Sequence, residues 1–110
     1  MKQYVIDDLR PPDHAALKAY LDDHLEKTGI EGVYHLAVPE ELLSEVQRSH
    51  NACHPLYLAL ELVPEALVCE LLVRTDARVR CDCIGYATVS QRNWAIETID
   101  AIADKLALIT

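Results

Sequence analysis

Phenylalanine is missing altogether, and the aromatic complement is five Tyr and one Trp. Glycine is nearly as scarce, at three residues in 110. Three glycines make no Gly-rich phosphate loop, which removes nucleotide binding through a P-loop or a dinucleotide-fold turn. With so few flat rings the core has to be aliphatic, and stacking platforms for nucleobases or flavins are short of material. Positive charge is also in deficit. Ten Lys and Arg stand against 18 Asp and Glu, a formal net charge of −8. Such a surface repels phosphate backbones and anionic headgroups, so neither nucleic acid nor a membrane is an expected partner. The longest apolar stretch, Leu56 to Val63, is interrupted by Glu61 and falls far short of the ~20 residues of a membrane helix. The opening MKQYVIDDLR has neither an apolar core nor a small-residue cleavage site, so no secretory signal is expected. These absences point to the cytoplasm, where thiols stay reduced. The four cysteines, Cys53, Cys69, Cys81 and Cys83, are then expected as free thiols or ligands, not as a disulfide frame.

What is present is enough for one α+β domain spanning 1–110. Apolar residues make up 51% of the chain and charged residues 25%, a globular composition. Residues 3–7 read as a short strand. Pro12 and Asp13 suit a first helical turn, and Leu17, Tyr20, Leu21 and Leu25 continue at helical spacing, predicting a helix over 12–27. A second strand is predicted over 33–38. Pro39 opens a second helix with Leu42, Leu43, Val46, His50 and Cys53 as its stripe, ended by Pro55.

The segment from 56 to 83 alternates with period two. Leu56, Leu58, Leu60 and Leu62 answer Leu67, Cys69, Leu71 and Val73, then Val79, Cys81 and Cys83, across turns at 63–66 and 75–77. That predicts a three-stranded antiparallel meander. Pairing Leu62 with Leu67 and Val73 with Val79 puts Leu60, Cys69 and Cys83 in one row and Leu58, Leu71 and Cys81 in the next. Thr88-Val89-Ser90-Gln91 resembles a capping box. Ala95, Ile96, Ile99, Ile102, Ala103, Leu106 and Ile109 then predict a final helix of about 20 residues, packed on one face of the meander. The predicted order is β-α-β-α-β-β-β-α, with one or two short N-terminal strands extending the sheet.

Three groups of residues bear on function. His50, Cys53 and His54 would share a helical face and could offer a zinc ion three ligands, with Cys69, Cys81 or Cys83 completing a tetrahedron. Cys81-Asp82-Cys83 adds soft donors; two strand residues so spaced lie too far apart for an easy disulfide but within reach of one ion. The competing view takes Cys69, Cys81 and Cys83 as small core hydrophobes, and His50 and His54 as cations at a helix C-terminus. A Cys53–His nucleophile oriented by Asp82 is disfavoured, because a helix C-terminus destabilises a thiolate. Lastly, the second face of the meander mixes apolar, aromatic and charged side chains. With Trp94 off the main stripe of the last helix, Tyr57, Leu72, Arg80, Ile84, Tyr86 and Trp94 form a candidate interface. The expectation is a cytoplasmic, non-enzymatic protein without a cofactor that acts on another protein or on a second copy of itself, as an adaptor, chaperone-like or regulatory domain. The alternative is a zinc-binding or thiol-based sensor built on His50, Cys53, His54, Cys81 and Cys83.

Overall fold

The computed structural model describes residues 2–77 and 80–108. The chain is α+β, with antiparallel strands and a long C-terminal helix. In order it forms β1 (Gln3–Ile6), α1 (Pro11–His24), β2 (Glu26–Lys27), β3 (Val33–Ala37), α2 (Glu45–Ser49), β4 (Leu56–Val63), β5 (Ala66–Glu70), β6 (Leu72–Thr75), β7 (Gly85–Tyr86) and α3 (Val89–Lys105). The sheet runs β1-β5-β4-β3-β2, and β6 pairs with β4 and with β7.

The alternation read from the sequence sets the sheet's two faces. Leu62 opposes Leu67 and Leu60 opposes Cys69, as expected. On the other side of β4, Tyr34 and Leu36 oppose Leu60 and Leu58. These side chains point to one face and are buried. Helix α1 sends Leu17 and Leu21 into that core, and α3 sends Ala95, Ile99 and Ile102. Polar anchors fix both helices over the sheet. Tyr34 Oη donates to Asp22 of α1 at 2.6 Å, and Tyr4 Oη of β1 donates to Asp100 of α3. Leu58 is fully buried in the middle strand. Leu58→Ala should therefore cost about 2–5 kcal/mol through lost transfer energy and a residual cavity, seen as a lower urea midpoint with an unchanged slope.

Several predicted boundaries move. Helix α1 stops at His24 instead of continuing to 27, because Leu25 turns extended and Glu26–Lys27 pair with the backbone of His35 and Tyr34. The predicted helix over 39–55 is broken into a 3₁₀ turn at Glu40–Leu42, the five-residue α2, and a second 3₁₀ turn at Asn51–Cys53. Leu43 is extended, and Ser44 caps a fresh helix by accepting from the Gln47 N–H. The apolar stripe does not survive this break, and Val46 lies 45% exposed. The third meander strand over 79–83 does not form at Cys81–Cys83, which lie in a turn; Val79 lies outside the described residues. In its place β6 continues from β5 along β4, with Tyr57 opposite Arg74 and Leu56 opposite Thr75. From Leu60↔Cys69 to Tyr57↔Arg74, β4 advances three residues while its partner advances five, which is a two-residue bulge. Leu71 thus does not oppose Leu58, and Val73 pairs with Gly85 of β7. Helix α3 starts at the expected capping box, with Thr88 accepting from the Gln91 N–H, and ends at Lys105; Ile109 lies outside the described residues.

The hydroxyls of Tyr4, Tyr34 and Tyr57 are each pushed up to about 12. For Tyr4 the main cause is its hydrogen bond to Asp100. For Tyr34 and Tyr57 it is burial, followed by the bonds to Asp22 and Asp76. The native state holds these protons after an unfolded chain has released them near pH 10. Their contribution is therefore complete below about pH 10 and is lost as pH climbs toward 12. The urea midpoint should fall across that interval, and Tyr34→Phe should flatten the fall.

Candidate metal centre

The residues on either side of the β4–β5–β6 hairpin converge. His50 caps the end of α2, and the 3₁₀ turn that follows is closed by the Cys53 N–H donating to the His50 carbonyl at 2.9 Å. Side chains three apart eclipse in a 3₁₀ turn, so the imidazole and the Cys53 thiol project together. Across from them the chain reverses at Cys81–Ile84, where the Ile84 N–H donates to the Cys81 carbonyl at 3.0 Å. This turn directs Cys81 and Cys83 to the same point. The ligand atoms of His50, Cys53, Cys81 and Cys83 all lie within 4.8 Å of one another.

Individual contacts are closer. His50 Nδ1 lies 3.0 Å from Cys81 Sγ, and the Cys53 thiol donates to Cys81 Sγ at 3.6 Å. Sulfurs held tetrahedrally by zinc at about 2.3 Å stand roughly 3.8 Å apart, close to the 3.6 Å between the Cys53 and Cys81 sulfurs. Its sulfurs differ in character. The backbone N–H and then the thiol of Cys83 hydrogen-bond to Cys81, His50 and Cys53 add theirs, and Cys81 is held down to about 6. Cys83 is pushed up to about 12, chiefly by burial and then by the neighbouring Cys81. Of the two sulfurs in this turn, Cys81 is thus the one whose surroundings favour the thiolate.

Two buried glutamines hold the Cys83 turn in place. Gln47 Nε2 donates to the Cys83 carbonyl at 3.1 Å. Its Oε1 accepts from the Ser44 N–H at 3.0 Å and from Gln91 Nε2 at 2.8 Å. Gln91, fully buried, also donates to the Leu42 carbonyl at 2.9 Å and accepts from the Thr88 N–H at 3.0 Å. The start of α3, the start of α2 and the cysteine turn are thereby tied into one relay. The sequence reading named Gln91 only as a capping-box residue and missed Gln47. Their signal was present: Ser44–Gln47 and Thr88–Gln91 are two capping boxes that use Gln where Glu also serves, and only an amide has donors left for a third group.

The other sequence candidates fall elsewhere. His54 is outside the cluster, with Nε2 2.7 Å from the Gln47 carbonyl. Cys69 is fully buried opposite Leu60, and burial pushes its thiol up to about 12. Cys69 and Cys83 lie in the hydrophobic core and Cys81 packs against it, as the competing view expects, but Cys81 and Cys83 lie in a turn and not on a strand. Asp82 is exposed. Of the candidate interface, Leu72 and Tyr86 pair across β6 and β7 on the sheet face away from the helices. Tyr57 shares that face but is nearly covered: its ring stacks on His35 at 3.6 Å and its hydroxyl donates to Asp76 at 2.7 Å. Ile84 and Trp94 pack against the core, and Arg80 is exposed beside the cluster.

The chain matches no family model, no curated protein and no solved structure. Its chemistry has to be argued from the cluster itself.

Proposed function

We propose that this is a zinc-binding domain whose ion is held by His50, Cys53, Cys81 and Cys83. The carrying observation is the convergence of one imidazole and three thiols within 4.8 Å. Three soft sulfurs and a nitrogen are a donor set that selects zinc over harder divalent ions. Four protein ligands leave no open position, so the ion's role is to hold structure or to sense, not to activate water. It would clamp the turn at Asn51–Cys53 to the turn at Cys81–Ile84 that leads into β7. This reading belongs with a reducing cytoplasm, where the thiols are kept available. Elemental analysis of protein prepared without chelators is expected to give about one zinc per chain. A metal-free preparation that also takes up no added zinc removes the reading.

A second reading is favoured by the sheet face opposite the helices. Val5, Val68, Leu72 and Tyr86 lie there exposed or half-buried, beside the Arg74–Glu70 ion pair at 3.1 Å. A fully solvated sheet face is mostly polar, so this one suits contact with another protein or a second copy. Among the described residues no helix is long and apolar enough to cross a membrane. Leu72→Asp should lower the solution mass, or abolish capture of a partner, without moving the thermal midpoint. An unchanged monomer that captures nothing in either form removes this second reading.

A further inference from the structure

Resting on the zinc reading, we propose that Cys53 and Cys81 form a hydroperoxide-sensitive pair whose oxidation to a disulfide ejects the metal. The four ligands are not equally reachable. Cys81 is half-buried and lines an open concavity of about 420 Å³, with His50, Ala52, Cys53 and Arg80 among its walls. Cys83 is only 1% exposed, and its carbonyl is held by Gln47. An oxidant entering the concavity meets the Cys81 sulfur first. The nearest described thiol in a separate chain segment is Cys53, 3.6 Å away and 28 residues earlier. Cys83 shares the Cys81 turn, and a bridge between cysteines two residues apart closes a small, strained ring.

The chemistry balances with hydrogen peroxide as oxidant. The Cys81 thiolate attacks the peroxide oxygen; the S–O bond forms, the O–O bond breaks and hydroxide leaves. The Cys53 thiolate then attacks the Cys81 sulfur; the S–S bond forms, the S–O bond breaks and a second hydroxide leaves. Two thiolates lose two electrons, and one peroxide is reduced to two hydroxides, which solvent protonates. His50 and Cys83 alone remain, and two ligands do not hold zinc in competition with water. The disulfide still joins the two segments, so the fold persists while the ion departs. A dithiol reduces the bridge by thiol–disulfide exchange, ending as a disulfide itself and returning both protein thiols.

The test uses the zinc-loaded full chain, hydrogen peroxide and a zinc-responsive chromophore, with the disulfide mapped by mass spectrometry. The expected result is a drop from about one bound zinc to near none, one Cys53–Cys81 bridge per ion released, and recovery with dithiothreitol and zinc. Cys69→Ser should respond as the parent does. Cys53→His keeps four ligands but removes the second sulfur, and should hold its zinc at the same peroxide dose. Zinc retained by the parent, or a bridge between Cys81 and Cys83, overturns this inference and leaves the zinc site standing. A chain that takes up no zinc overturns both.

Discussion

Replacing Cys83 with serine is expected to take the zinc content from about one per chain to near zero and to cause the largest loss of stability of any ligand variant. Cys83 is the most enclosed of the described sulfurs that meet at the cluster and share its turn with another ligand. A serine there cannot supply a soft anion, and it buries a hydroxyl where a thiol sat. A metal that binds only the native state contributes according to its saturation. At free zinc roughly a thousand times the dissociation constant, that is about 4 kcal/mol, or on the order of 15 °C in the thermal midpoint for a chain of this size. Chelation of the parent should produce the same shift, and the chelator should have no further effect on Cys83→Ser. Two controls separate coordination from packing. His54→Ala should keep its zinc, because His54 hydrogen-bonds to Gln47 and not to the cluster. Cys69→Ser should lose stability through its fully buried position yet also keep its zinc. Zinc bound at full stoichiometry by Cys83→Ser would contradict the assignment.

Gln91→Leu is expected to destabilise the fold by about 3 kcal/mol and to weaken zinc affinity by roughly 10–100-fold. The stability term follows from what leucine leaves behind. The Leu42 carbonyl and the Thr88 N–H lose their partners, and Gln47 Oε1 loses one of two donors. Buried groups stripped of a partner cost about 1–3 kcal/mol each, partly recovered as the site relaxes. The affinity term follows from position. Gln47 grips the Cys83 carbonyl, and Gln91 grips Gln47. Groups that orient a ligand without touching the metal typically change affinity by that factor. Urea denaturation of the metal-free protein isolates the first effect, and a competition titration with a chelator of known affinity isolates the second. A variant with normal stability and normal affinity would show that the relay holds nothing in place.

Much of the sheet was legible from the sequence because the leucines of 56–62 and the residues at 67 and 69 admit one register that buries them all. The C-terminal helix was legible from its capping box and its aliphatic spacing. The bulge between β5 and β6 was not. It inserts two residues, and side chains alternate with a period of two, so Val73 and Thr75 stay buried and the pattern is identical with or without it. The predicted helix over 39–55 failed for a different reason. Leu42, Leu43, Val46, His50 and Cys53 fit a helical stripe, but Ser44 restarts the chain, and the restart cancels the spacing. Those two misreadings explain the mixed outcome at the His/Cys cluster. The structure brings together His50, Cys53, Cys81 and Cys83, four of the residues singled out by type. His54 was added on helical geometry that does not exist there, and the Cys81–Cys83 pair was placed on a strand when it forms a turn.

The two arms of the cluster are separated in sequence by the whole β4–β5–β6 hairpin, with Cys53 and Cys81 28 positions apart. An ion arriving at a newly made chain would therefore find at most half a site on either side until that hairpin has zipped. Closing so long a loop before other contacts exist is entropically unfavourable, which orders events in time: on the zinc reading, metal capture is a late step. Zinc should accordingly leave the refolding rate almost unchanged and slow unfolding instead, acting as a latch that drops only behind a finished sheet.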